Sequence, residues 1–154
     1  MHPLVWWTGF TVAGIWLQRL VPGVDFLAPG LVILMQERRV RSAVWMGLFW
    51  MFVIEGTSGL AFGTGILWYA ALVGAFLAGR GVFESTNFLF ITLIGLFLGV
   101  WHIALTELMV QLQDLAVPWH RLLLEGLLQA GFFPVQWGLT YSMYKNWVRY
   151  GSPI

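Results

Sequence analysis

The stretch Asn87–Leu108, NFLFITLIGLFLGVWHIALTEL, carries no charged residue before Glu107. A helix needs about 20 mostly apolar residues to cross the hydrocarbon core of a bilayer, so this stretch is long enough to do it. Working outward, the same character recurs in five further segments. They run from about Pro3 to Leu17, from about Val24 to Met35, from Ser42 to Ile54, from about Leu60 to Ala78, and from Pro118 past Tyr144. Gln18-Arg19, Glu37-Arg38-Arg39, Glu55-Gly56, Gly79-Arg80-Gly81 and Lys145 punctuate them. Backbone groups in hydrocarbon must find partners within their own segment, which predicts helices. A barrel would need short alternating segments, and that alternation is absent. The expected fold class is all-α: a polytopic six-helix bundle, one transmembrane domain over residues 1–154.

Composition points the same way. Of the 154 residues, 59% are apolar and only 10% charged, against roughly 25% charged in a soluble domain, and mean hydropathy is +0.78. The formal net charge of +1 argues against a nucleic-acid partner, which calls for a basic patch. With no cysteine, disulfides, thiolate catalysis and cysteine-ligated metals are excluded. Met1-His2-Pro3 puts no Lys or Arg ahead of the first apolar run, and no small-residue cleavage site follows; the first segment is expected to be a permanent helix.

Segments two and three are short, and runs of 10–14 residues can be re-entrant or buried core; Pro29 adds to the question. Charge placement favours six spans. With the N-terminus cytoplasmic, Arg38, Arg39, Arg41, Arg80, Lys145 and Arg149 fall inside and only Arg19 and Arg121 outside, so six of the eight basic residues obey the positive-inside rule. Both termini are then cytoplasmic, and Asp25, Glu55, Glu107, Asp114 and Glu125 lie toward the outside. Trp6, Trp7, Trp16, Trp119 and Trp147 are near segment ends, where indole rings favour the headgroup layer. Trp50, Trp68, Trp101 and Trp137 lie deeper. Gly59 and Gly63, Gly95 and Gly99, and Gly74 and Ala78 each place two small residues four apart, a spacing that lets helix backbones approach closely.

Chemistry is sparse. Glu55-Gly56-Thr57-Ser58-Gly59-Leu60-Ala61-Phe62-Gly63 reads as a helix–helix turn in which Ser58 or Thr57 caps segment four. It also has the Gly-x-Ser-Gly form seen in rhomboid proteases, with His102 as the one histidine at membrane depth to act as base. His102 otherwise reads as a buried polar anchor. The three histidines have no ligand spacing, so no metal is expected, and no cofactor. Arg121 and Glu125 are placed to pair along one face of segment six. Glu107, Gln111 and Asp114 repeat at four and three, giving an acidic stripe at the outer end of segment five, either a solvated helix end or a docking surface. Asp25, after Pro22-Gly23, can cap segment two and favour its positive end.

The order of features between Pro22 and Arg80 resembles the rod-shape-determining MreD family of bacterial inner-membrane proteins. An acid opens the second helix (Asp25) and an arginine-rich inner loop follows (Glu37-Arg38-Arg39-Val40-Arg41). The third helix ends in an acid and Ser-Gly (Glu55, Ser58, Gly59), and a glycine-bearing helix (Gly63, Gly65) closes on Ala78-Gly79-Arg80. The family usually has aspartate where this chain has Glu55, and proline after the Ser-Gly where it has Leu60-Ala61. The resemblance implies a six-helix fold similar to the substrate-binding component of energy-coupling-factor transporters. It further implies a non-enzymatic scaffold role in the rod (cell-elongation) complex, in cell shape and peptidoglycan synthesis. The partners implied are an MreC-like membrane protein, other elongation-complex proteins and membrane lipids. Carried over position by position, Asp25, Glu55, Ser58, Gly59 and Gly63 are the expected structural or partner-docking residues. The alternatives are a small-solute (vitamin)-binding transporter subunit and an intramembrane serine protease built on Ser58.

Overall fold

The computed structural model describes residues 2–57 and 62–149. Among them are six α-helices and no strand: α1 (Pro3–Leu20), α2 (Ala28–Gln36), α3 (Val40–Thr57), α4 (Thr64–Gly79), α5 (Phe88–Leu112) and α6 (Trp119–Tyr144). A π-helical turn, Lys145–Arg149, continues α6. The six apolar segments thus become six helices. α1 and α5 open on side-chain caps: His2 Nδ1 accepts the Leu4 N–H at 3.3 Å and Asn87 Oδ1 the Leu89 N–H at 2.8 Å, each relieving a donor with no partner inside the helix.

Helix α2 departs most from its expected role. Nine residues at 1.5 Å each make a rod of about 13.5 Å, under half of a hydrocarbon core about 30 Å thick. Every residue from Ala28 to Leu34 is buried, so α2 is a core element wrapped by the other helices, and the chain passes from one end of the bundle to the other through the non-helical stretch around Asp25 and α2 together. Pro29 lies in its first turn, where a backbone N–H would have no helical acceptor; it starts the helix and does not break it. Gly30 admits the rings of Phe10 and Trp50, whose atoms would lie 2.5 and 2.8 Å from a Cβ there.

Helices α5 and α6 form the most extensive pairing. A Cβ on Gly99 would sit 2.6 Å from the Gly126 carbonyl oxygen and 2.8 Å from the Ala130 Cβ; one on Gly95 would sit 3.0 Å from the Ala130 carbonyl oxygen. The Gly95/Gly99 pair therefore packs as expected, against a matching small pair on α6. The Gly74/Ala78 pair does not. Gly74 faces open space. Gly63 is in the turn before α4 at φ +105, a conformation that glycine adopts without strain, and its partner Gly59 lies outside the described residues.

The start of α1 meets the end of α6: Tyr144 packs against Trp6 and Trp7, with ring centroids 6.4 and 5.7 Å apart. Trp6 and Trp7 lie in the first turns of α1 with their rings packed inside the bundle, while Trp16, Trp119 and Trp147 are exposed. Trp50 is fully buried and its Nε1–H donates to Thr11 Oγ1 at 2.9 Å. Outside this core the bundle is apolar on every long helix: Leu4 and Trp16 on α1, Trp45 and Phe52 on α3, Leu77 on α4, Leu96 and Val100 on α5, and Leu127 and Leu139 on α6 are all exposed. Of the described helices, only α5 is by itself long and apolar enough to cross a membrane; α4 is apolar but shorter.

Candidate functional site

The polar residues of the bundle gather where α1 and α3 end, α4 and α6 begin, and the segment from Val21 to Leu27 connects α1 to α2. Pro22-Gly23 makes the turn. Gly23 has φ +85, and a Cβ on it would lie 2.6 Å from the Glu125 side chain, so both the backbone and the space require glycine.

Two residues later stands Asp25, buried. Its Oδ1 accepts Gln18 Nε2–H at 2.9 Å and the Leu27 N–H at 2.8 Å; its Oδ2 accepts Trp68 Nε1–H at 2.8 Å. Its own N–H donates to Oε1 of Gln129, a fully buried amide, at 2.7 Å. One residue thus ties together α1, the start of α2, α4 and α6. The expected capping role is present: α2 begins at Ala28, and the carboxylate holds the N–H of Leu27, the residue just before it.

Glu55, in the last turn of α3, works in a similar way. Its Oε1 accepts the N–H groups of Gly63 at 3.0 Å and Gly65 at 2.7 Å. These are free donors at the start of α4, where a carboxylate also meets the positive end of the helix dipole. Gly65 sits close under Glu55 and the Met51 carbonyl, 3.1 and 3.2 Å from its would-be Cβ. Among the described residues α4 starts at Thr64, and Glu55 supplies a cap to it; the side chains of Thr57 and Ser58, from which the sequence predicts that cap, are not among those described. Ser58 and Gly59 lie outside the described residues.

His102 and Glu125 complete the cluster. His102 Nε2 and Glu125 Oε2 are 3.2 Å apart, and Arg121 Nε donates to Glu125 Oε1 at 2.9 Å. The edge of Trp68 meets His102 with centroids 6.1 Å apart and planes at 89°. His102 is therefore the cross-helix anchor expected of it, and the Arg121/Glu125 pair forms. Beside these groups opens a cleft of about 210 Å³, lined among others by Gln18, Asp25, Thr64, Trp68, His102 and Thr106.

The acidic stripe divides. Gln111 Nε2–H donates to Glu107 Oε1 at 2.8 Å, but α5 ends at Leu112. Asp114 follows in a left-handed turn at φ +52, off the helical repeat that placed it with the other two.

Sequence reasoning missed Gln18, Trp68 and Gln129 as members of this hub, and Gln36 at the opposite end of α2. Gln36 accepts Trp137 Nε1–H at 3.1 Å and donates to the Ser85 carbonyl, so α2 is tied by polar groups at both ends. The available signal was the lone amide in an apolar helix, a group that needs a partner on a neighbouring helix. Among the described residues, no three of His, Asp and Glu are placed to hold a metal ion. The chemistry that this geometry supports is holding: Asp25 and Glu55 accept from donors on other elements, and Glu125 is engaged by Arg121 on its own helix and meets His102 of α5.

Compared with known proteins, the chain matches no family model, no curated protein and no solved structure.

Proposed function

We propose that this chain is a multi-pass protein of the bacterial inner membrane with both termini cytoplasmic, and that it serves as a non-enzymatic scaffold subunit of the rod (cell-elongation) complex beside an MreC-like protein. The observation that carries the scaffold reading is the hydrogen-bonded state of Asp25: three donors from three elements occupy its carboxylate, so the group holds the bundle together and is not poised for chemistry. Two features support the membrane setting. Large apolar side chains cover the outside of all five long helices, and the long apolar window of α5 is only 39% buried, unlike the core helix of a soluble protein. The segment from Val21 to Gln36 suits a membrane interior as well, because irregular backbone at that depth is tolerated where protein encloses it.

The test is affinity purification of the tagged full chain from membranes together with deletion of its gene. The expected result is co-purification of an MreC-like protein or a wall synthase, and rounded cells on deletion. Rod-shaped deletion cells and no such partner would overturn the scaffold assignment.

A second reading, a small-solute-binding transporter subunit, is favoured by the cleft beside Asp25. At about 210 Å³ it is smaller than the roughly 300–1,000 Å³ usual for ligand sites, which ranks this reading second. A bound small molecule in native mass spectra, with a thermal shift on adding one member of a vitamin panel, would reverse the order.

A further inference from the structure

The end of the bundle opposite Asp25 holds a cavity of about 580 Å³ between the α2–α3 and α4–α5 connections. Arg38 and Arg80 line it, with Glu84, over an apolar floor that includes Phe76 and Phe83. Neither guanidinium has a carboxylate partner among the described residues, and both side chains are exposed.

Arg38 occupies an unusual backbone position. After α2, the Arg39 N–H bonds to the Leu34 carbonyl at 3.0 Å and the Arg38 N–H to the Met35 carbonyl at 3.2 Å. That is a Schellman closure, whose left-handed residue is usually glycine. Here it is Arg38, at φ +56, a conformation costing an L-residue about 1–2 kcal/mol. Helix dipoles account for a cation near each carbonyl end. They do not account for a side chain held at a strained position on the wall of a cavity that a second arginine shares.

We propose that this cavity binds the headgroup of a zwitterionic phospholipid with a primary amine, of the phosphoethanolamine type. The diester phosphate sits between Arg38 and Arg80, whose planar guanidinium groups suit phosphate oxygens. The ammonium faces Glu84, and the glycerol end lies toward Phe83 and the exposed Val40. This site rests on the membrane reading above and gives the inner face of the bundle a fixed lipid.

The test uses the purified full chain in detergent, titrated with phosphatidylethanolamine, phosphatidylcholine or soluble phosphoethanolamine and read by native mass spectrometry. Phosphatidylethanolamine is expected to bind, phosphatidylcholine several-fold more weakly, and soluble phosphoethanolamine not to compete. Arg38→Gln with Arg80→Gln should weaken phosphatidylethanolamine binding about tenfold, as loss of charge-assisted hydrogen bonds implies. Glu84→Gln should remove the preference for ethanolamine over choline and keep phosphate-dependent binding. Equal binding by wild type and the double variant overturns the site; competition by soluble phosphoethanolamine overturns its assignment to lipid. Circular dichroism of the variants, and Arg38→Lys with Arg80→Lys as a charge-retaining control, separate loss of the site from loss of the fold. Alkaline extraction of membranes separates the two proposals: release of the wild-type chain defeats the membrane reading, while retention with arginine-independent lipid binding defeats only this one.

Discussion

Replacing one Asp25 oxygen with nitrogen sets donor against donor. If the amide oxygen of Asp25→Asn keeps the Gln18 and Leu27 donors, its NH₂ faces Trp68 Nε1–H and the indole loses its acceptor in a buried place. The expected loss is about 1–3 kcal/mol, read as a lower unfolding temperature in detergent. Trp68→Phe in the same background removes the clashing donor and should recover part of that loss. Glu55 behaves differently, because a neutral amide oxygen can still accept from Gly63 and Gly65. Glu55→Gln should cost only the charge–dipole part, about 0.3–1 kcal/mol, and Glu55→Ala the whole cap, about 0.5–2 kcal/mol. A Glu55→Gln variant as unstable as Glu55→Ala would mean that charge, not hydrogen bonding, holds the start of α4.

At the scale of helices, glycine divides into two kinds that look the same in the sequence. Gly99 touches the α6 backbone, so the added methyl of Gly99→Ala has no room and should push α5 and α6 apart at a cost of about 1–3 kcal/mol. Gly74 meets nothing within 4 Å; Gly74→Ala should be neutral or stabilise α4 by up to about 1 kcal/mol, because alanine loses less backbone entropy in a helix. Thermal unfolding of the two variants side by side checks the contrast, and equal effects would contradict the packing described. Pro134 sharpens the α5–α6 contact. Lacking an N–H, it leaves the Ala130 carbonyl without a helical donor, and it is this carbonyl that Gly95 approaches. The short α2 depends on its surroundings: a buried rod of nine residues is below the length at which a helix holds in isolation, and the polar ties at Asp25 and Gln36 fix it from both ends.

For the whole molecule, the decisive feature is that polar groups concentrate at the two ends of the bundle, with three acids at one and, among the described residues, two unpaired arginines at the other. Asp25, Glu55 and Glu125 converge at one end, and Arg38 and Arg80 line a cavity at the other. Packing of Trp6 and Trp7 on Tyr144 puts the beginning of α1 and the end of α6 at the same end of the bundle. On the membrane reading proposed above, both termini lie on one face of the bilayer, and the basic residues predict that this face is cytoplasmic. Reporter fusions should therefore show both termini active for a cytoplasmic reporter and silent for an export-dependent phosphatase. Termini on opposite faces would overturn the topology and with it the inner and outer labels of both sites.

Long apolar runs by themselves determined that this chain forms helices, how many, and roughly where each lies, because backbone groups in apolar surroundings have few other ways to be satisfied. The spacing of Gly95 and Gly99 likewise announced a close helix pair, and the positions of Asp25 and Glu55 marked the acids at one end. Only the tertiary structure decided that α2 is a half-length core element, that Glu55 reaches the N–H groups of Gly63 and Gly65 at the start of α4, and that Asp25, Gln18, Trp68 and Gln129 form one hub. The physical reason is the range of the interactions involved. Helix formation is set by neighbours three and four residues away, whereas Asp25 and Gln129 are separated by 104 positions, and no local pattern records which isolated polar groups will meet.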